Sequence, residues 1–554
     1  MNKNLIFRYI LIVSFSGLST SIFAQQRGEV QDQEFVIRKD RVLTVPVQPR
    51  NFERIPVLPS PKSTANFNYM VKPFFLELPP LEIAPEASSK QFPRNNEELF
   101  PGFARVGYGN YSSPILELRY NLWEDGDYNI GAKLKHEGFY TGPIGGKNSA
   151  ETHTNVGLDG TLFKDYFSLY GQVDYSRDLY NFYGYDPGNI ILQDYVTSQN
   201  IFNTFKIKGG ISNIEKMSDL NYDANLNVRL FADSYMAVEN EVGINGKVDF
   251  WYNENLRTGI DAKLSLTTPS DELYSDINRN YFKIKPFVEY RKQGLSVSAG
   301  ANIVFENDIT MNKKSDFHVF PAIKGSYMLD EGFGIYAGFE GDVIRKTYYD
   351  FVMENQFLGP SNELLNTVQN FVASAGVKGT VNGEFTYEAG VNVGKYANMH
   401  FFNTSPTDSL RFNLEYDSDT RVINYTASVG WEYQDWYKLT GSVNYYQYTL
   451  NDLNAAFHRP EWELSLGNTF KPTEKFLINA NINSMGGIVA YRSTTDKTEV
   501  LPVIFDLNLK FDYKINNQVS IFAVGNNLLN QTNQRYLNYP VRGIQGIGGL
   551  TVKF

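Results

Sequence analysis

From residue 102 to the end, apolar and polar positions alternate. Between Val503 and Tyr513 the odd positions read Val503, Phe505, Leu507, Leu509, Phe511 and Tyr513, while Asp506, Asn508, Lys510 and Asp512 fill most of the gaps. A strand turns successive side chains to opposite faces, so this stretch predicts a strand with one greasy face and one polar face. The pattern recurs in Tyr222, Ala224, Leu226, Val228 and Leu230 against Asn221, Asp223, Asn225, Asn227 and Arg229. It recurs again in Leu256, Ile260, Ala262, Leu264 and Leu266 against Arg257, Asp261 and Lys263.

The connections between these strands alternate in length. Short ones such as Glu124-Asp-Gly126, Lys292-Gln-Gly294, Asn382-Gly383 and Asn516-Asn517 carry tight-hairpin chemistry. Long ones run from Gly138 to Glu151, Asp178 to Gln199, Lys346 to Asn366, Lys395 to Arg421 and Leu528 to Arg542. Counting an opening strand at Phe103 to Gly109 and a closing strand at Gly543 to Phe554 predicts an all-β fold: a transmembrane antiparallel β-barrel of about 22 strands, with short periplasmic turns and longer extracellular loops. Leu410 to Tyr416 reads either as loop or as a strand extension.

Composition supports one architecture filling residues 102–554. The chain has 37 tyrosines and 40 phenylalanines, and they gather near strand ends, where interface girdles belong. A soluble β-sandwich would share the alternation, but not the number of repeats or the N-terminus. Residues 1–24 read as a secretory signal: Lys3 and Arg8 precede a mostly apolar run from Tyr9 to Phe23, and Ala24 precedes Gln25. Removal of Lys3 and Arg8 takes the formal net charge from -10 to -12, an acidic balance that argues against nucleic-acid binding. The absence of cysteine suits an oxidising compartment.

Residues 25–101 have a different texture. Eleven of the 23 prolines lie between Pro46 and Pro101, so the segment predicts extended, non-ladder chain. It also carries Phe67, Tyr69, Phe74, Phe75, Leu76 and Leu81, more apolar surface than a freely solvated tail would hold. The expectation is a periplasmic or lumenal segment lying against a protein wall, with Glu34 to Arg38 as one short strand.

The closing stretch Phe522-Ala-Val-Gly-Asn-Asn-Leu-Leu-Asn530, then Arg535-Tyr536, then Leu550-Thr-Val-Lys-Phe554, is similar to the C-terminal barrel signature of the TonB-dependent receptor superfamily. That resemblance implies an outer-membrane receptor of a Gram-negative bacterium that passes a solute. It also implies recognition of the terminal Phe554 by the outer-membrane insertion machinery and lipid around the barrel. The family carries a globular plug of well over a hundred residues, whereas this chain has the 77 residues 25–101. They read as a reduced plug, or as a docking segment for the energising protein or another periplasmic partner. The alternative is a non-transporting structural or assembly subunit that docks other envelope proteins.

Little else in the sequence points to chemistry. His136, His153, His318, His400 and His458 sit singly, without the spacing of a metal site. No Gly-x-Ser-x-Gly elbow occurs, and the chain does not read as an enzyme. Gly543-Ile-Gln-Gly-Ile-Gly-Gly549 lies in a closing strand and reads as close strand approach rather than a nucleotide loop. Glu415, Asp417 and Asp419 alternate, so in extended chain they can face one way and hold Ca²⁺, against the simpler reading of a solvated acidic loop. Tyr180, Phe182, Tyr183 and Tyr185, with Tyr348, Tyr349 and Phe351, are candidates to stack on a sugar or seat a partner protein. An interface girdle alone would account for them and is the simpler reading.

Overall fold

The two faces of the alternating strands end up on opposite sides of one closed sheet. The computed structural model describes residues 100–124, 126–184, 198–214, 219–272, 277–307, 316–360, 362–406, 408, 410–492 and 495–554. Residues 1–24, most of 25–101, Glu34 to Arg38 and Tyr185 lie outside them. The main sheet has 22 strands, each antiparallel to its neighbours. It closes where Gly102–Gly109 pairs with Gln545–Lys553, in register from Phe103 opposite Lys553 to Gly109 opposite Ile547. Glycine at 549 lets this seam close: a Cβ there would lie 2.2 Å from the Val106 carbonyl oxygen and 2.5 Å from the Phe522 ring. The glycine run is strand.

Leu226, Ile244, Ile260, Ile323 and Phe511, from the apolar faces, are each 45–49% exposed on the outside. Apolar residues on a membrane barrel belong there, because lipid replaces the missing core. At the periplasmic turns, Gln293-Gly294 and Asn382-Gly383 have positive φ at both positions, the mirror-image turn that matches strand twist. Not every connection on the opposite side is long. Asn110–Ser112 is a single 3-10 turn, and 233–237 closes tightly because Asp233 accepts the backbone N–H groups of Tyr235 and Ala237.

The inward faces divide into two kinds of wall. From Ser113–Glu124 round to Arg279–Lys292 the wall is charged and cross-paired. Arg229 lies opposite Glu241, Lys247 opposite Asp261, and Asp261 opposite Lys285, with ion pairs such as Lys133 to Asp174 at 2.7 Å and Arg257 to Glu289 at 2.6 Å. From Thr367–Val381 round to Phe476–Gly486 it is mostly uncharged. There Ser374 faces Asn392, Asn392 faces Asn424, Ser442 faces Ser465, and Ser465 faces Asn483.

The extracellular connections carry structure of their own. One holds the helix α1 (Tyr348–Glu354). Another holds the hairpin of Met399–Thr404 with Phe412–Asp417, and a third that of Val489–Arg492 with Lys497–Val500. The stretch from 410 to 416 is therefore partly strand, but in a loop hairpin outside the barrel.

Candidate functional site

The extracellular loops meet in a buried aromatic core. Phe182, Phe202 and Phe231 project inward from the ends of wall strands and pack with Tyr348, Phe351 and Val352 of α1. Phe357 and Leu358 follow on the same connection as α1, and Phe402, Phe412, Tyr536 and Tyr539 join from other loops. Parallel bridges between Leu358 and Phe412 and between Phe457 and Val489 stitch these loops together. A single loop of this length cannot bury so many rings; several folding onto each other can.

This core settles where the predicted aromatic residues lie. Phe182, Tyr348 and Phe351 are 0–2% exposed, and Tyr180, Tyr183 and Tyr349 pack against them. Tyr183 meets Tyr539 edge-on at 5.0 Å and donates its hydroxyl hydrogen to the Pro540 carbonyl. Tyr349 lies under the Arg229 guanidinium and accepts from Lys206. These rings are spent on each other rather than presented as a free stacking surface.

Helix α1 is held at both ends. Thr347 caps it reciprocally with Asp350, and the buried Glu239 carboxylate accepts the N–H groups of Tyr348 and Tyr349 and a hydrogen bond from Arg229. At the other end Glu354 meets Lys346 at 3.2 Å, Arg459 at 3.1 Å and His400 at 3.0 Å. Arg459 Nη2 also lies 2.7 Å from the His400 Nε2 and donates to the His400 carbonyl oxygen, and Tyr536 donates to the Glu354 carbonyl. Burial pushes the Glu354 carboxyl up, but His400, Arg459 and Lys346 outweigh it and hold it well below the usual carboxylate range. Burial moves the His400 imidazole the other way, down to about 4, with Arg459 adding to the effect.

His458 ties three loops together. Its Nδ1 lies 2.8 Å from the Phe402 carbonyl oxygen, and its Nε2 accepts the Leu537 N–H. Burial holds this imidazole down to about 4 as well. The histidines that look solitary in sequence therefore have partners. His153 lies 2.8 Å from Asp178, and ligand atoms of Glu306, Asp316 and His318 fall within 4.8 Å of one another.

The acidic trio is divided. Asp417 accepts the backbone N–H groups of Asn451, Asp452 and Leu453 on one oxygen and Asp419 N–H and the Thr420 hydroxyl on the other. Burial raises this carboxyl, but those donors prevail and hold it below its ordinary value. Glu415 accepts from the Asn403 amide, and Asp419 pairs with Lys395 at 3.1 Å. The three carboxylates anchor loops in different directions.

Two cavities lie where the loops meet the uncharged wall. The inner one, about 640 Å³, is lined by Gln369, Asn392, Asn424, Tyr396, Lys346 and Arg535 among others. The outer, about 560 Å³, is lined by the connection from Tyr445 to Ala456 and by Glu461. Tyr446, Tyr448 and Arg459 line both. Sequence reasoning missed these residues. Tyr446 and Tyr448 do alternate on an inward face, but Arg459, Arg535 and Glu354 come from separate loops with no local pattern to connect them.

No family model matches the sequence, and no curated protein matches it. Solved structures do. The barrel is similar to the FrpB iron transporter from Neisseria meningitidis (TM-score 0.64, 10% identity, 83% of this chain and 82% of that one). It is also similar to the ferric-catecholate import receptor Fiu from E. coli K12 (0.61, 10%, 82% of each). A third likeness is to the pyoverdine outer-membrane receptor FpvA of Pseudomonas aeruginosa (0.60, 12%, 82% of this chain and 78% of that one). At such identities the likeness is one of fold: the 22-strand barrel of TonB-dependent receptors. A closed barrel with an apolar outer belt places the chain in the outer membrane of a Gram-negative bacterium.

Proposed function

We propose that this protein is a receptor-type barrel that admits a solute across the outer membrane, with residues 25–101 closing the lumen from the periplasmic side. The observation that carries the reading is that extracellular connections from several parts of the barrel pack into one buried aromatic core. A permanently open pore has no use for a buried aromatic cap, or for a carboxylate clamped by Lys346 and Arg459 beside a cavity. A cap held by a few polar contacts at the edge of a cavity suits a passage that opens on demand. The likeness to import receptors rather than enzymes supports the same reading.

Conductance in planar bilayers tests it. In the Glu354→Gln background, which loosens the extracellular cap, deleting residues 25–101 should open or enlarge the pore, and unchanged conductance would refute closure by that segment. Solute uptake that stops when the inner-membrane energising protein is absent would mark the passage as driven. If the segment instead pulls down envelope partners and its deletion leaves conductance untouched, the protein is a docking subunit.

A further inference from the structure

We propose that Tyr446, Tyr448 and Arg459 form a binding site for a neutral, polyhydroxylated solute, a short oligosaccharide, where the outer and inner cavities meet. The inference rests on the reading of the barrel as a solute passage. These three residues are common to both cavity linings, so a solute held in either cavity lies against them. The two tyrosine rings are near-parallel, 23° apart in plane with centroids 6.0 Å apart. They stand two residues apart on the inward face of Tyr437–Thr449, and Tyr396 lines the same cavity. A pyranose has an apolar C–H face and a hydroxyl rim, and a tyrosine offers an apolar face with a polar tip.

The rest of the lining fits the rim. Thr367, Gln369, Asn392 and Asn424 line the inner cavity, and amides both donate and accept, as hydroxyl groups do. The charges largely cancel. Lys346 and Arg459 face Glu354, and Glu340 takes Lys324 at 3.0 Å. Of the remaining charged liners, Arg535 leans on the Met485 sulfur and Glu463 accepts from Tyr446. A polyanion would meet no surplus of positive charge, whereas an uncharged polyol finds donors, acceptors and rings. At about 640 Å³ the space lies within the usual range of small-molecule sites, roughly 300–1,000 Å³.

The test is calorimetric titration of the purified full-length protein in detergent with maltohexaose, cellohexaose and chitohexaose, alongside ferric citrate and a neutral hexapeptide. At least one hexasaccharide should bind. Tyr446→Ala and Tyr448→Ala should each weaken it by about tenfold, while Tyr425→Ala, an outward-facing tyrosine of the neighbouring strand that lines neither cavity, should stay within about twofold. Binding of ferric citrate or the peptide without any saccharide would overturn the proposal, as would saccharide binding indifferent to both Tyr446→Ala and Tyr448→Ala. Current block by the bound hexasaccharide, in channels lacking residues 25–101, separates the two readings. Binding without conductance would leave the site and remove the passage, and conductance with no saccharide binding or block would do the reverse.

Discussion

Glu354→Gln tests whether the extracellular cap is held as the structure indicates. The side chain is 22% exposed and shares its carboxylate between Lys346 and Arg459, with His400 alongside. Gln keeps the shape and removes the charge, leaving two cations close together with nothing to balance them. Breaking a fully buried pair costs roughly 3–5 kcal/mol. Discounting for the partial exposure leaves about 2–4 kcal/mol for local opening, or about 30-fold to several hundred-fold in the opening equilibrium. Native-state hydrogen exchange read by mass spectrometry should show this as lost protection in Tyr348–Glu354, Met399–Thr404 and the loop around Tyr536. The periplasmic turns and the barrel wall should be unchanged. Adding Arg459→Gln should recover part of the loss, because the second change removes one of the stranded cations. Equal protection in wild type and Glu354→Gln would refute the clamp and leave the cap to the aromatic core and the other polar ties, such as Glu239 and His458.

Three other outcomes follow from named contacts. His400 and His458 sit in the fold with imidazoles near 4, below the ordinary 6.5. Protonation therefore favours the open cap, and cap protection should be full above pH 6.5 and fall between about 6.5 and 4; protection that is flat across that window, after correction for intrinsic exchange, would contradict it. Leu226→Arg on the lipid face should cost about 2–4 kcal/mol in bilayer unfolding, while Asn227→Lys on the inward face of the same strand should cost less; the opposite order would mean the faces are reversed. Gly549→Val should cut outer-membrane assembly sharply because its side chain meets the Val106 carbonyl and the Phe522 ring, whereas Gly246→Ala, with nothing within 4 Å, should assemble normally.

How far the sequence carries depends on the range of the physics. Strand faces are local: Leu226 is exposed because its neighbours at 225 and 227 are asparagines, and two-residue periodicity needs no partner to be read. Hairpin chemistry is equally local, as Asn382-Gly383 shows. Closure of the barrel was legible only by counting those local units. The cap is different in kind. Phe182, Phe351, Phe412 and Tyr536 lie on four separate connections, and nothing within any one of them tells a girdle ring from a core ring. The same holds for charge: Asp417 looks like a cation ligand beside Glu415 and Asp419 until the backbone of 451–453 arrives to fill one of its oxygens.

The division of the lumen wall sharpens this point, because it is a sequence feature whose meaning only closure supplies. Uncharged inward positions such as Ser374, Asn392, Asn424, Ser442, Ser465 and Asn483 are unremarkable strand by strand. Set side by side by the register, Ser374, Asn392 and Asn424 form one amide and hydroxyl run across three strands, and Ser442, Ser465 and Asn483 another. The charged wall opposite needs its cross-strand pairs, since an inward Arg229 without Glu239 and Glu241 would leave a buried cation unbalanced. The neutral wall has no such internal demand: its amides bond equally well to water or to a passing hydroxyl. Both cavities lie on that wall, where moving a solute breaks no ion pair of the barrel itself. The ion pair that engages Arg459 there is the Glu354 clamp, so loosening the cap and freeing Arg459 are the same event. A Glu354→Gln channel should therefore lose its cap protection and its hold on Arg459 together.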